Sequence, residues 1–127
     1  MATRVEKAAV TLSVIDERHL PAPLVFDDLE LRPAEFEALV AGRRAGLTRR
    51  EFQVLHCLAA QPDRVLTRQD VYDQVWGGAM PHRDRSVDVF VRKVRRKLGT
   101  VAPDRIAIHT HFGVGYRFSY EMLDAGR

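Results

Sequence analysis

The 127-residue sequence contains a single cysteine, Cys57, and no long apolar segment. A single cysteine excludes an internal disulfide and is typical of a protein that works in a reducing cytoplasm. No apolar run approaches the roughly 18 residues that a membrane-spanning helix needs. The N-terminus, MATRVEKAAVTL, carries charges and lacks the apolar centre of a signal peptide. The sequence therefore predicts a cytoplasmic protein with no membrane as a partner.

The sequence also lacks the residue patterns of catalysis and of metal binding. It shows no nucleophile–base arrangement, no paired carboxylates in a pocket-like context and no glycine-rich phosphate loop, so an enzyme is not expected. His109 and His111 alternate on a predicted strand, but no CxxC or HxxxH spacing completes a metal site. Cys57 fits a small apolar side chain in a helix core, with a redox switch as the alternative. The prediction is that the protein holds no cofactor and no metal.

Charge is distributed unevenly along the chain, whose net charge is +3. Residues 1–47 contain 6 Lys and Arg against 8 Asp and Glu, whereas residues 48–127 contain 14 against 9. The length suits one domain with a hydrophobic core. A basic second half suggests a polyanionic partner if the positive charge lies on one face.

Three helices are predicted in the basic half, each with a start or stop signal. Thr48 and Glu51 form a capping box at the start of the first helix, and Thr67 caps the second. In chain order, the residues predicted to end the three helices are Pro62, the pair Gly77 and Gly78, and Gly99. The third helix is predicted over residues 84–99, DRSVDVFVRKVRRKLG.

Strands are predicted on both sides of the helices. Residues 24–47, which include LVFDDLELR, favour short antiparallel strands. RIAIHTHFGVGYRFSY favours a β-hairpin with Gly113 and Gly115 at its tip. We therefore predict an α+β domain over residues 24–120, preceded by a tail or linker at 1–23 and followed by a C-terminal tail at 121–127.

The third predicted helix has two contrasting faces. At about 100° per residue, four apolar side chains fall within roughly 60° of each other. These are Val87, Val91, Val94 and Leu98. The opposite side holds Arg85, Val89, Arg92 and Arg96, with Lys93 beside them. Residues 83–97 contain seven Lys and Arg but two Asp, and both aspartates lie in the first turns, where the helix dipole favours them.

A basic helix followed by a hairpin has the layout of a winged helix. The third helix would enter the DNA major groove, where arginine can bind a guanine edge and valine can contact a thymine methyl. The hairpin would contact the adjacent backbone or the minor groove. This layout predicts sequence-specific binding to double-stranded DNA, and a solvated charged face is the simpler alternative for the helix.

Four segments resemble the OmpR/PhoB-type winged-helix effector domain of bacterial response regulators. They are LTRREFQVLHCLA, VLTRQDVYDQVWG, RSVDVFVRKVRRKLG and IHTHFGVGYRF. The resemblance covers roughly residues 24–120. It implies a winged helix-turn-helix with a four-stranded N-terminal antiparallel sheet, three helices and a C-terminal wing. It also implies that the protein regulates transcription in a two-component system by binding promoter DNA. Two protomers would bind direct repeats, and the loop before the third helix would contact RNA polymerase.

The resemblance assigns roles to individual positions. The base-contacting residues would be Val89, Arg92 and Lys93. The residues contacting the DNA backbone would be Arg68, Trp76, Arg85, Ser86, Arg95, Arg96, Thr110 and Tyr116. The polymerase-facing loop, residues 77–83, would include Gly77, Gly78, Met80 and His82. The wing tip would be Phe112, Gly113 and Val114. For Trp76, a packing role in or beside the core is an equal alternative.

The sequence departs from the family pattern in three respects. Phe112 stands where an arginine that can enter the minor groove is usual, so the wing either contributes less charge or packs Phe112 on sugars or a partner. Phe90 replaces a common polar contact and lies towards the core edge, so packing is expected. Residues 1–23 cannot hold a phosphorylatable receiver domain of about 110–120 residues. The chain is therefore expected to be a stand-alone regulator or an excised effector domain.

The alternative function is a protein–protein interaction module with little or no specific DNA binding, because winged helices can also bind proteins. The acidic N-terminal half and the apolar wing tip would suit such a role. DNA binding should weaken steeply with salt, whereas a protein-binding module should depend on Phe112.

Overall fold

Seven strands and three helices follow one another in residues 21–123, the part of the chain that the computed structural model describes. Residues 1–20 of the predicted tail or linker at 1–23, and the last four residues of the predicted C-terminal tail, lie outside the described residues. In chain order the elements are β1 (Leu24–Phe26), β2 (Leu29–Arg32), β3 (Glu37–Val40), β4 (Arg43–Arg44), α1 (Arg49–Ala59), β5 (Val65–Thr67), α2 (Arg68–Val75), α3 (Ser86–Val101), β6 (Arg105–His111) and β7 (Gly115–Met122).

The N-terminal sheet is a four-stranded antiparallel meander in the order β1-β2-β3-β4. Its register pairs Leu24 with Leu31 and Leu29 with Val40. Leu29 and Leu31 alternate along β2 with half-buried polar residues and are fully buried, so one face of the sheet packs on the core. The prediction of short antiparallel strands in this region is confirmed.

Two reciprocal capping boxes start α1 and α2. The Thr48 hydroxyl accepts a hydrogen bond from the Glu51 N–H, and Glu51 Oε1 accepts one from the Thr48 N–H at 2.9 Å. Thr67 and Asp70 repeat the arrangement at α2. Both predicted N-caps are therefore confirmed, because the spacing of three residues brings each side chain back to the first turn.

The third helix continues past the residue predicted to end it. Gly99 lies inside α3, which runs to Val101, so the prediction of a stop at Gly99 was wrong. The Ala102 N–H donates to the Leu98 carbonyl, and Ala102 is buried. Pro103 follows, and the residue before a proline is disfavoured in the helical conformation. Ala102 accordingly leaves it, with φ −141° and ψ 66°.

The second sheet joins the hairpin to the helices. Its order is β5-β7-β6, with β6 and β7 forming the predicted hairpin around Gly113, whose φ is +80°. Gly115, also predicted at the tip, is instead the first residue of β7 and pairs with His111. β5, which was not predicted, adds to β7 and pairs Leu66 with Tyr116. β7 runs to Met122, two residues beyond the predicted end of the domain.

The hydrophobic core lies between the two sheets and the three helices. Phe52 on α1, Val91 on α3 and Phe118 on β7 are almost fully buried. The Phe26 and Phe118 rings, 4.7 Å apart between centroids, connect the two sheets. The fold is an α+β winged helix-turn-helix, as predicted. Within residues 21–123, no helix combines the length and apolar character needed to cross a membrane.

Candidate nucleic-acid interface

One face of α3 presents cationic side chains to solvent. Arg85, just before the helix, and Arg92 and Arg96 within it are exposed, and Val89 between them is 36% exposed. Lys93 is half-buried, with its ammonium 5.0 Å from the centre of the Phe90 ring. Val87, Val91, Val94 and Leu98 form the buried stripe on the other side. The spacing of 3.6 residues per turn therefore brings the three predicted base-contacting residues onto one accessible surface.

Ser86 begins α3 at the edge of this surface. Its backbone N–H donates to Asp84 Oδ1 at 2.7 Å, and its side chain is half-buried. α3 begins at Ser86, so the prediction that the helix includes Asp84 was wrong. Asp84 lies in the preceding loop and satisfies one of the N-terminal N–H groups that a helix leaves unpaired.

Asp88, in the first turn of α3, connects the helix to two other elements. Arg68 Nε, from α2, donates to Asp88 Oδ1 at 2.7 Å, and the Tyr116 hydroxyl, from β7, donates to the same oxygen. Burial opposes ionisation, but the hydrogen bonds from Tyr116 and Arg68 outweigh it and lower the pKa of the Asp88 carboxyl. From the sequence, Asp88 was explained by the helix dipole alone, and its contacts with Arg68 and Tyr116 were not predicted. The sequence did offer one signal, because Asp88 is an acidic residue shortly before a run of Lys and Arg residues.

Tyr116 lies at the base of the wing between two arginines. The centre of its ring is 5.4 Å from the Arg68 guanidinium carbon and 5.7 Å from that of Arg95. The residue is 5% exposed, and burial together with the hydrogen bond to Asp88 raises the pKa of its hydroxyl. Tyr116 was predicted to contact the DNA backbone. Its side chain is instead buried beneath the surface that DNA would contact.

Arg95 is directed towards the wing. Its guanidinium donates to the Ile108 carbonyl at 3.2 and 2.8 Å and to Thr110 Oγ1 at 2.7 Å. Partial burial lowers the pKa of Arg95. Arg95 and Thr110, both predicted to contact the DNA backbone, are thus brought together in one hydrogen-bonded pair that attaches β6 to α3.

Trp76 belongs to an aromatic cluster at the end of α2. Its ring stacks on Tyr72 at 5.1 Å and meets Phe90 edge-on at 5.5 Å, so the packing expected for Phe90 is confirmed. Arg50 lies 5.0 Å from the Trp76 ring and donates to the Val75 carbonyl at 2.7 Å. Arg50 therefore caps the C-terminus of α2, a role that was not predicted from the sequence.

The wing tip and the loop before α3 extend outwards. Phe112 is 90% exposed, and Val114 is 52% exposed. Gly77, Gly78 and His82 in the loop are exposed, whereas Met80 is half-buried and its N–H donates to Gln69 Oε1 at 3.2 Å. Both glycines have positive φ values, 85° and 86°, that other residues rarely adopt.

The two wing histidines have hydrogen-bonding partners within the wing. His109 Nε2 lies 2.9 Å from the Ser119 carbonyl oxygen, and His111 Nε2 accepts from Arg117 Nε at 3.0 Å. Residues 21–123 contain no group of three or more His, Cys, Asp or Glu side chains arranged to hold a metal ion.

A three-helix unit with a cationic third helix and a hairpin wing defines the class of winged-helix domains. Residues 42–118 match the family described as "Transcriptional regulatory protein, C terminal", and the chain belongs to this family.

Relatives agree with this assignment. The chain is 41% identical over 101 residues to the response regulator MprA of Mycobacterium ulcerans, a match that covers 80% of this chain and 43% of that protein. A match to MprA of Mycobacterium avium has 42% identity over 93 residues and covers 73% of this chain and 40% of that protein. The chain thus spans less than half the length of these relatives.

Solved structures share the fold. The DNA-binding domain of CpxR from E. coli has a TM-score of 0.69 and 30% identity, and the match covers 77% of this chain and 96% of that one. The DNA-binding domain of RstA from Klebsiella pneumoniae, solved in complex with the RstA box, has a TM-score of 0.69 and 26% identity. That match covers 78% of this chain and 98% of the RstA chain.

Proposed function

We propose that this chain binds double-stranded promoter DNA in a sequence-specific manner and regulates bacterial transcription as the effector part of a response regulator. The observation that carries the proposal is the exposed cationic face of α3, with Val89 and Arg92 at its centre. Membership of the family and the solved RstA complex with its DNA box support it.

In this proposal α3 lies in the major groove. Arg92 donates two hydrogen bonds to a guanine edge, and Val89 contacts a thymine methyl. Arg85 and Arg96, on the same exposed side, bind phosphates and release counterions. Lys93 is held near the Phe90 ring and reaches a base edge from the side of the groove.

The elements around α3 have positioning and backbone-contacting roles in this proposal. Arg68 is the first residue of α2. One of its N–H groups binds Asp88, so the others remain available to bind a phosphate. Ser86, at the start of α3, and Thr110, on β6, contact the DNA backbone in this proposal. Two protomers bind directly repeated half-sites, and residues 77–83 contact RNA polymerase. The domain works in the cytoplasm and has no catalytic role.

The experiment is selection of bound sequences from a random duplex library by the whole 127-residue chain, followed by a salt titration of the enriched duplex. We expect a discrete motif and an affinity that falls with salt with a slope equivalent to several phosphates. Weak binding without an enriched motif would contradict the proposal.

Arg92→Ala tests the base-contacting role. Loss of a bidentate contact costs about 1–3 kcal/mol of discrimination, so we expect one position of the selected motif to become degenerate. Arg43→Ala is the matched control, because Arg43 is an exposed arginine on β4 in the N-terminal sheet. It removes the same charge and should leave the motif unchanged. Equal effects of the two variants would contradict a base contact by Arg92.

The 90% exposure of Phe112 favours a second candidate function, a protein-interaction module. In that case the Phe112→Ser variant should lose binding to a protein partner, whereas Arg92→Ala should not. In the DNA-binding proposal Phe112→Ser retains the selected motif, because the base-reading side chains belong to α3. A Phe112→Ser variant that binds the same motif with a similar salt slope would favour DNA binding by α3.

A further inference from the structure

A carboxylate lies within the cationic surface that we propose for DNA. The Asp88 side chain is 16% exposed, and Oδ1 accepts hydrogen bonds from Arg68 and Tyr116. Oδ2 is buried and has no hydrogen-bond partner among residues 21–123, and the nearest cation to it in an ion pair is Arg85, with Nε at 3.7 Å. A buried and incompletely paired carboxylate is costly, and a negative charge beside phosphates repels them. Such a group needs an explanation beyond surface solvation.

Asp88 and its two hydrogen-bond partners come from the three elements that we propose to face DNA. Arg68 is the first residue of α2, Asp88 is in the first turn of α3, and Tyr116 is on β7 of the wing. Their contacts meet at one oxygen, Asp88 Oδ1. The aspartate side chain is short, so its position is determined closely by the α3 backbone. A group fixed to the base-reading helix therefore sets where Arg68 and the base of the wing lie.

The geometry also controls the direction of the Arg68 guanidinium. The contact to Asp88 uses its Nε–H, one of five N–H groups in a rigid planar fork. The ring of Tyr116 lies 5.4 Å from the guanidinium carbon. The ion pair at Nε and the nearby Tyr116 ring leave the Arg68 guanidinium little rotational freedom even without DNA. Binding a phosphate therefore costs less conformational entropy.

We propose that Asp88 is a positioning residue that sets the register between the base-reading face of α3 and the backbone contacts of α2 and the wing. Its charge weakens attraction to DNA of any sequence, while the alignment it enforces strengthens binding to the correct sequence. This inference rests on the proposed function, because it assigns the origin of specificity within the same interface.

Asp88→Asn removes the charge and, with it, the ion pair that holds Arg68 in place. The substitution keeps the size of the side chain and removes its negative charge. Electrostatic repulsion alone predicts tighter binding to every duplex, by about twofold for one charge near the surface. Positioning predicts instead that the ratio of operator affinity to nonspecific affinity falls by about tenfold, comparable to loss of one good base contact.

The probes are two duplexes measured at one salt concentration with the full chain. One carries the motif that the unaltered chain selects, and the other has the same base composition in shuffled order. Asp73→Asn is the control, because Asp73 is an exposed carboxylate on α2 and its loss changes net charge equally.

Tyr116→Phe removes the hydroxyl that reaches Asp88 and keeps the buried ring. It should lower the affinity ratio in the same direction as Asp88→Asn. Thermal unfolding of each variant shows whether the domain remains folded.

The outcomes distinguish the inference from the function on which it rests. A lower affinity ratio for Asp88→Asn and Tyr116→Phe, with Asp73→Asn unchanged, supports the positioning role. If Asp88→Asn and Asp73→Asn raise both affinities alike, Asp88 acts only through its charge, and the inference is overturned while DNA binding stands. If Asp88→Asn does not fold and Tyr116→Phe leaves the ratio unchanged, the inference is also overturned. If the unaltered chain discriminates no motif, the proposed function fails, and the inference fails with it.

Discussion

Replacing Lys97 by methionine leaves the Glu51 carboxylate buried without its cation. The Glu51 side chain is 4% exposed, and Oε1 lies 2.8 Å from Lys97 Nζ and 2.9 Å from the Thr48 N–H. Removing one partner of a buried pair costs about 3–5 kcal/mol. The Lys97 side chain is 27% exposed, so part of this pair is already screened by water. We therefore expect a loss of about 2–3 kcal/mol in the free energy of unfolding near neutral pH, or roughly 10–20 °C in Tm.

The loss should depend on pH. Burial raises the pKa of Glu51, but the contacts with Lys97 and Thr48 outweigh it, and the pKa is lowered. The contribution of Glu51 to stability is thus present above its unfolded pKa and is lost as pH falls through the lower folded value. Without Lys97, burial instead raises the folded pKa, so protonation relieves the penalty. The stability difference between the two proteins should therefore shrink on going from about pH 7 to about pH 4.5.

Urea unfolding followed by Trp76 fluorescence and far-ultraviolet circular dichroism measures both effects, since Trp76 is the single tryptophan. The control is the double variant Glu51→Gln with Lys97→Met, which removes both charges and keeps an acceptor for the Thr48 N–H. It should recover at least about half of the lost stability. A loss below about 1 kcal/mol for Lys97→Met, or a loss that does not shrink in acid, would refute the reasoning.

Other substitutions test the packing directly. Gly115→Ala places a Cβ 1.9 Å from the Leu66 carbonyl oxygen, so β5 and β7 must separate and calorimetry should show a loss of more than about 2 kcal/mol. Gly99→Ala places a Cβ where, apart from its chain neighbours and the adjacent backbone of α3, no atom of the described residues lies within 4 Å, so it should instead stabilise α3 by about 0.5–1 kcal/mol. Burial raises the pKa of Cys57 to about 11, so alkylation of the folded chain should be far slower than that of the urea-unfolded chain. Phe112→Ser should change stability by no more than about 0.5 kcal/mol, because the side chain is 90% exposed.

The features of the fold that could be predicted depend on local signals. A threonine and an acidic residue three positions later identify a helix start without any knowledge of the rest of the chain, and both boxes, at Thr48 and Thr67, are present. The buried stripe of α3 follows from helical periodicity in the same way.

The features that were missed depend on residues far apart in sequence. β5 is three residues long, and its identity as a strand comes from pairing with β7, about fifty positions later. The end of α3 was misplaced because Gly99 alone does not show that Leu98 and Ala102 are buried. Such burial is decided by packing against other elements, which overrides the local preference of glycine.

The same limit applies to the candidate site. The cationic face of α3 could be predicted because its members recur every three or four residues. The convergence of Arg68, Asp88 and Tyr116 could not, because each comes from a different element and the register of β7 against β5 decides where the tyrosine lies. Likewise, the turn of Arg95 towards Ile108 depends on how β6 packs beside α3.

The pairing of β5 with β7 also has a consequence for the order in which the chain folds. Strands β1 to β4 pair with their immediate neighbours, so the strand pairing of the N-terminal sheet involves no residue beyond Arg44. Leu66, which is almost fully buried, must wait for residues 115–117, and contacts so distant in sequence form slowly. A nascent or truncated chain without the last hairpin would expose this residue and lack Phe118. Removal of the wing should therefore give an incompletely folded, aggregation-prone chain rather than a folded domain with weaker binding.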